Sequence, residues 1–274
     1  MNVYEIVTDR IIKKLEEGTI PWRQPWDANG AVNWNSKKPY RGINAILLDP
    51  GEYATYNQIE AAGGKVKKGE HAHIVVLWKF GQQVDENDEP TGKKTCWMRY
   101  YNVFEINTQC EGLTSNRKII ERNNDPIEAA EQIKKGYRDC PPITFAPGRA
   151  FYRPSTDSIS IPQINDYKNI EEYYSTMFHE MAHSTGHTSR LNRKGIETVA
   201  AFGSETYSKE ELVAEITAAM LCGVTGIVNS TIENSAAYIK SWCKQLKKDP
   251  KLIVTAASQA QKAADYIQGI KPQE

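Results

Sequence analysis

The chain has 274 residues, of which 40% are hydrophobic and 25% charged, with 34 basic side chains against 34 acidic ones. That length suits one large domain or two ordinary ones, and the composition is that of a soluble globular protein with a full core. Zero net charge excludes a uniformly basic or acidic surface, so a nucleic-acid face has to be a local patch.

No apolar run approaches the roughly 20 residues of a membrane span, and the acid-bearing N-terminus lacks the apolar core of a secretory signal. The five cysteines are odd in number and contain no Cys-x-x-Cys pair. The reading is reduced thiols in a cytoplasmic protein rather than a disulfide framework.

In chain order, Val3, Val7, Ile11 and Leu15 recur four apart and predict a helix that Gly18 and Pro21 stop. Residues 19–52 read as loop, with Trp22, Trp26 and Trp34 spread along them, and 55–62 as a short helix ended by Gly63-Gly64. HIVVLWKF (73–80) and CWMRYYNVFEI (96–106) predict two strands of a hairpin, with the polar 82–94 as its long tip. The weakly patterned 107–125 is taken as the linker between a first domain, 1–125, and a second, 126–274. The second opens on a helix at Pro126, continues with a hairpin over 150–162, and then turns helical: 168–185 up to Gly186, 208–222 from Ser208, and two more near 231–247 and 251–268. Strands first and helices later predict an α+β protein of two domains.

The sharpest signal is His179-Glu180-Met181-Ala182-His183. Histidines four apart share one face of a helix and can hold a divalent ion from the same side. Glu180 then follows the first ligand as candidate general base. A random shuffle of this composition gives roughly 0.008 such matches, so the motif outranks chance. Zn²⁺ is the default ion for such donors, with Mn²⁺ or Co²⁺ as alternatives.

A third protein ligand is needed. Ser189 stands where a metzincin would have its third histidine, which disfavours that subclass, and His187 lies beyond the helix-breaking Gly186, which leaves it a lesser candidate. Glu211 and Glu215, four apart in SKEELVAEI, do better: one can ligate while the other orients a histidine. Glu211 has a competing reading as the partner of Ser208 in a capping box. Tyr207 is a candidate phenol for stabilising a developing oxyanion.

The first half is balanced in charge, but its cations cluster. Lys37, Lys38 and Arg41 flank Tyr40, while Lys65, Lys67 and Lys68 follow two glycines. With aromatics such as Trp78 nearby, the pattern suits single-stranded nucleic acid, where cations track phosphates and rings stack on bases.

Taken together, IPWRQPW (20–26), KPYRGINAILL (38–48), TYNQIEAAGGKVKKGEHAHIVVLWK (55–79), YYNVFEINTQ (100–109), FYRPSTDSISIP (151–162), YYSTMFHEMAHSTGHTSRL (173–191) and EELVAEITAAMLC (210–222) span nearly the whole chain. In that order they resemble the ArdC-type antirestriction proteins of mobile elements, whose N-terminal domain also occurs fused to plasmid primases. The resemblance implies a single-stranded-DNA-binding first domain of mixed α/β structure and a zincin-like metallopeptidase second domain. It gives His179, Glu180 and His183 the roles of ligand, base and ligand, and draws the third ligand from the Glu211–Glu215 helix. By likeness to thermolysin-type enzymes, Glu211 leads. The function implied is protection of incoming mobile DNA, with single-stranded DNA and an unidentified protein substrate as partners and no membrane. The alternative is a DNA-coating protein without catalysis, its metal structural or vestigial.

Overall fold

The computed structural model describes residues 2–17, 20–23, 30–84, 90–115, 126–146, 148–167, 169–193, 196, 205–227 and 235–271. The side chains of 83, 84, 90, 92, 93, 126, 205–208, 235–239 and 241 fall outside that description. The chain divides into two compact units, one of Met1–Val7 and Gly30–Lys118, the other of Thr8–Asn29 and Ile119–Glu274. Helix α1 (Val3–Glu16) therefore begins in the first and continues in the second. Residues 8–29, which the sequence analysis leaves with the first domain, belong to the second unit.

In the first unit, β1 (Ala31–Asn33) pairs in parallel with β2 (Gly51–Thr55), with the short helix α2 (Ile43–Leu47) between them in sequence. Helix α3 (Tyr56–Ala61) follows, held at its start by a capping box between Thr55 and Gln58. After the two-residue β3 (Lys65–Val66) come β4 (His73–Val84) and β5 (Pro90–Glu105), an antiparallel hairpin, with β5 also antiparallel to β2. The four strands run in the order β1-β2-β5-β4. The expected hairpin is present, but its strands consume most of the stretch read as a 13-residue tip, leaving only 85–89 outside the described residues. Helix α4 (Ile106–Gln109) and β6 (Cys110–Glu111) end the unit, β6 pairing with β3.

Period-two alternation sends adjacent residues to opposite faces of this sheet. Tyr53 and Val103 join Ala31, Leu48 and Val75 in one buried cluster, while the next residue, Ala54, joins Ile59, Ile106 and Cys110 in another. The sheet is thus covered on both sides near β2.

In the second unit, Ile11, Ile12 and Leu15 of α1 are buried, and Thr8 Oγ1 donates to the Pro250 carbonyl at 2.7 Å. A 3-10 turn at Pro21–Arg23 brings the fully buried Trp22 edge-on to Trp242, ring centroids 5.2 Å apart. Beyond α5 (Pro126–Gly136) lies a small sheet, β7 (Ile143–Phe145), β8 (Phe151–Arg153) and β9 (Ser158–Ile161), in the order β7-β9-β8. Strands β8 and β9 are the expected hairpin; β7, parallel to β9, is a strand for which the sequence carries no expectation. Four long helices complete the unit: α6 (Ile170–Ser184), α7 (Glu205–Thr225), α8 (Ser235–Lys248) and α9 (Leu252–Gln268). Helix α7 packs against both α6 and α9, and Leu212, Val213, Ala214, Ile216, Ala219 and Leu221 are buried around its circumference. A carboxylate on such a helix sits among apolar neighbours, which makes a partner obligatory.

Candidate metal centre

Helix α6 starts where the Asn169 side chain accepts a bond from the Glu172 N–H at 2.8 Å. Its last two turns carry His179, Glu180 and His183. The chain turns away at Gly186, where a Cβ would lie 2.1 Å from Ile196 Cδ1 and 3.0 Å from Arg193 Nη2. Only glycine admits both neighbours undisturbed, so the residue that ends the helix also makes room for the loop closing over it.

His179 Nε2 and His183 Nε2 lie 3.1 Å apart. Glu211, reaching across from α7, places Oε2 3.4 Å from His179 Nε2 and Oε1 3.4 Å from His183 Nε2. Ligand atoms about 2.05 Å from a tetrahedral ion stand about 3.3 Å from one another, so these separations are those of three corners around a shared centre. Among the described residues this is the group of His, Cys, Asp and Glu side chains able to converge on an ion. Two imidazoles and one carboxylate fit a divalent cation in charge, donor type and spacing.

The outward nitrogens of both imidazoles meet further acids. Glu215 Oε1 is 3.6 Å from His179 Nδ1, and Glu210 Oε1 is 3.4 Å from His183 Nδ1. Such partners fix which nitrogen faces inward. Glu210 is held in turn by Arg193, whose Nε donates to Oε2 at 3.1 Å and whose Nη2 donates to Oε1. The same guanidinium bonds the Thr185 hydroxyl and the Ala182 carbonyl at the end of α6, the latter at 2.9 Å.

Burial alone would push both imidazoles down in pKa. The carboxylates outweigh it: Glu211 raises His179, and Glu210 with Glu211 raises His183 well above the usual value. Burial likewise opposes ionisation of Glu211 and Glu210. Glu211 is nevertheless held low by the two imidazoles, and Glu210 by His183 and Arg193. These surroundings favour the ionised form of Glu210 and Glu211. Glu180 is only 7% exposed, and its charge is felt by both histidines.

The capping-box reading of Glu211 fails, because α7 begins at Glu205 and Ser208 lies inside it. The Tyr207 side chain lies outside the described residues. His187 is not in the converging group: its Nδ1 is 2.8 Å from Ser189 Oγ and 4.0 Å from Asp157. Asp157, at φ 42°, pairs with Arg190, whose Nε also donates to the Ser184 carbonyl at 2.7 Å and so ties the β8–β9 turn to the end of α6. Sequence reading missed Glu210 and Arg193. Glu210 was hidden beside the more conspicuous Glu211, and Arg193 is a lone cation in a polar loop whose position only the fold reveals.

In the first unit the expected cations divide. Lys37, at φ 58°, puts Nζ 3.0 Å from the buried Glu52 and 5.2 Å from the Trp34 ring centre. Lys65 pairs with Glu111 at 3.1 Å, and Lys67 Nζ donates to the Thr108 carbonyl at 2.7 Å. Lys38, Arg41 and Lys68 are exposed. Tyr40 is half-buried, edge-on to Tyr53, its phenol raised by burial. Trp78 is partly exposed and lies edge-on to Tyr4 at 6.3 Å.

Residues 1–104 match the model of the N-terminal domain of anti-restriction factor ArdC, and 140–259 that of a zincin-like metallopeptidase. Two DNA primases TraC of Escherichia coli are 36% and 37% identical over 96% of this chain, which spans 20% and 27% of their lengths. The protein y4eC of Sinorhizobium fredii is 32% identical, with 97% of this chain and 91% of that one covered. The crystal structure of the antirestriction ArdC protein from plasmid R388 is similar with a TM-score of 0.79 in its metal-free form and 0.77 in its Mn(II)-bound form. In both cases identity is 34% and 98% of each chain is covered.

Proposed function

The chain belongs to the ArdC family of antirestriction proteins, and from that premise we propose that it binds single-stranded DNA through its first unit and hydrolyses peptide bonds at a divalent-metal centre in its second. The observation that carries the catalytic half is the convergence of His179 Nε2, His183 Nε2 and the Glu211 carboxylate at tetrahedral spacing, with Glu180 next to the first of them. The Mn(II)-bound R388 relative supports a divalent ion in such a fold. Zn²⁺ suits the donor set as well as Mn²⁺ or Co²⁺.

When bound, the ion supplies Lewis acidity, lowering the pKa of a water and polarising a scissile carbonyl. The protein's own residues do the rest. Glu215 and Glu210 hold the two imidazoles with Nε2 inward. Glu180 accepts a proton from the attacking water and returns it to the leaving amine. A structural ion needs no such base, so Glu180 favours catalysis over a merely coating role.

DNA binding by the first unit would deliver this hydrolase to incoming strands, where a protein substrate meets it in the recipient cytoplasm. No helix among the described residues is long and apolar enough to cross a membrane. The test uses the full chain and Glu180→Gln, with Mn²⁺ or Zn²⁺, oligo-dT and unfolded casein. The expected result is metal and oligo-dT binding by both proteins and cleavage by the unsubstituted one alone. Equal cleavage by Glu180→Gln, or none by either under any metal, overturns the catalytic reading.

A further inference from the structure

We propose that the single strand lies along one face of the β4–β5 hairpin, its bases stacked on Trp97 and its phosphates held by Lys79 and Arg99. The proposal rests on the DNA-binding reading above and places it on residues other than the two lysine clusters conspicuous in the sequence.

In the hairpin register, Leu77 stands opposite Arg99, Lys79 opposite Trp97, and Gly81 opposite Thr95. Period-two alternation puts these six on a single face. Leu77 is 49% and Trp97 42% exposed, and Lys79 and Arg99 are exposed with them. Cross-strand neighbours stand about 5 Å apart, so Trp97 has a cation directly opposite it and another two residues along its own strand. A Cβ on Gly81 would lie 2.9 Å from Trp97 Cζ3, so the indole rests across the bare backbone of β4. That seat fixes the ring while leaving much of it open, as a stacking platform requires.

The hairpin is cationic in sequence: its two strands hold four Lys and Arg residues against one carboxylate, the buried Glu105 at the far end. Of these cations, Lys79 and Arg99 flank Trp97 on this face, whereas Lys94, opposite Gln82, alternates to the other. The acids of this stretch are confined in sequence to 85–89. Neither Lys79 nor Arg99 has an acidic partner among the described residues, whereas Lys37 and Lys65 are paired and Lys67 is bonded to a carbonyl. A polyanion with exposed rings is the partner that satisfies both the cations and the indole; a protein partner would satisfy the apolar residues alone.

The experiment measures oligo-dT binding by the full chain across a salt series. Trp97→Ala should weaken binding about tenfold, and Trp97→Phe should keep most of the affinity while losing part of the fluorescence quench on binding. Lys79→Glu with Arg99→Glu should lower the log–log salt slope by about 1.4, two phosphate contacts on a single strand. Phe80→Ala, on the opposite face and 75% exposed, should change little. A loss at Phe80 with none at Trp97 overturns the choice of face, and losses only on Lys38→Glu or Lys68→Glu move the site off the hairpin. Unchanged oligo-dT affinity together with self-association that Trp97→Ala abolishes makes this a protein-binding surface. If the unsubstituted chain fails to bind oligo-dT at all, the DNA-binding reading itself falls.

Discussion

Arg193 grips Glu210 through two nitrogens while Glu210 rests against the outward face of His183, so a loop cation sets the orientation of an imidazole it never touches. The Arg193 side chain is 5% exposed and that of Glu210 is 11% exposed, so removing either strands a buried charge. Glu210→Gln is expected to cost about 3 kcal/mol of stability without metal. Arg193→Ala should weaken Mn²⁺ or Zn²⁺ binding about 10- to 100-fold in competition with a chromophoric chelator. Metal affinity unchanged in both variants would show that His183 needs no help in facing inward.

Glu211 and Glu215 occupy the same face of α7 yet meet His179 on different nitrogens, Nε2 and Nδ1. Glu211→Gln is therefore expected to abolish metal binding at micromolar concentrations. Glu215→Gln should retain it with about 10- to 100-fold lower affinity. Isothermal titration with Mn²⁺ separates the two, and the reverse order would make Glu215 the ligand.

Gly186→Ala should destabilise the second unit by about 1–3 kcal/mol, because the new methyl meets Ile196 Cδ1. Since Arg193 Nη2 is also within 3.0 Å of that methyl, metal affinity should fall as well. Ile196→Ala in the same chain should recover melting temperature more than metal binding. Full recovery of both would mean the guanidinium is undisturbed.

Asp157 links the β8–β9 turn to Arg190. Burial opposes its ionisation, but the bonds from Arg190 and Tyr152 and the charges of Arg190 and His187 outweigh that and hold its carboxyl below the usual carboxylate range. A group whose folded pKa is depressed lends stability above its unfolded pKa and loses it as pH falls through the folded value. The stability difference between the unsubstituted chain and Asp157→Asn should be full at pH 7 and shrink below about pH 4. Urea melts over that range check it; a constant difference would assign the effect to packing.

The long elements were legible because length gives a period something to repeat in. The four-apart stripe of α1, the apolar runs of β4 and β5 and the helical spacing around His179 needed no structure. Strands β1, β3, β6 and β7 have two or three residues each and carry no period at all. Gln82, Thr91 and Lys94 read as loop because they are polar and exposed, leaving no apolar face for a period of two to mark. The converging residues of the centre were all visible as types and spacings. What arranges them was not: the choice between Glu211 and Glu215 turns on which imidazole nitrogen each reaches, and Arg193 arrives through a backbone path set by Gly186.

The two units are interleaved along the chain, since Thr8–Asn29 counts with the second although it precedes nearly all of the first. No single cut separates them. A fragment ending at residue 125 would carry Trp22 without Trp242 and Thr8 without Pro250, and the remainder would lose a wall of its own interior. Recombination that moved only one half would meet the same difficulty. The similarity to the two primases TraC covers 96% of this chain and so takes in both units.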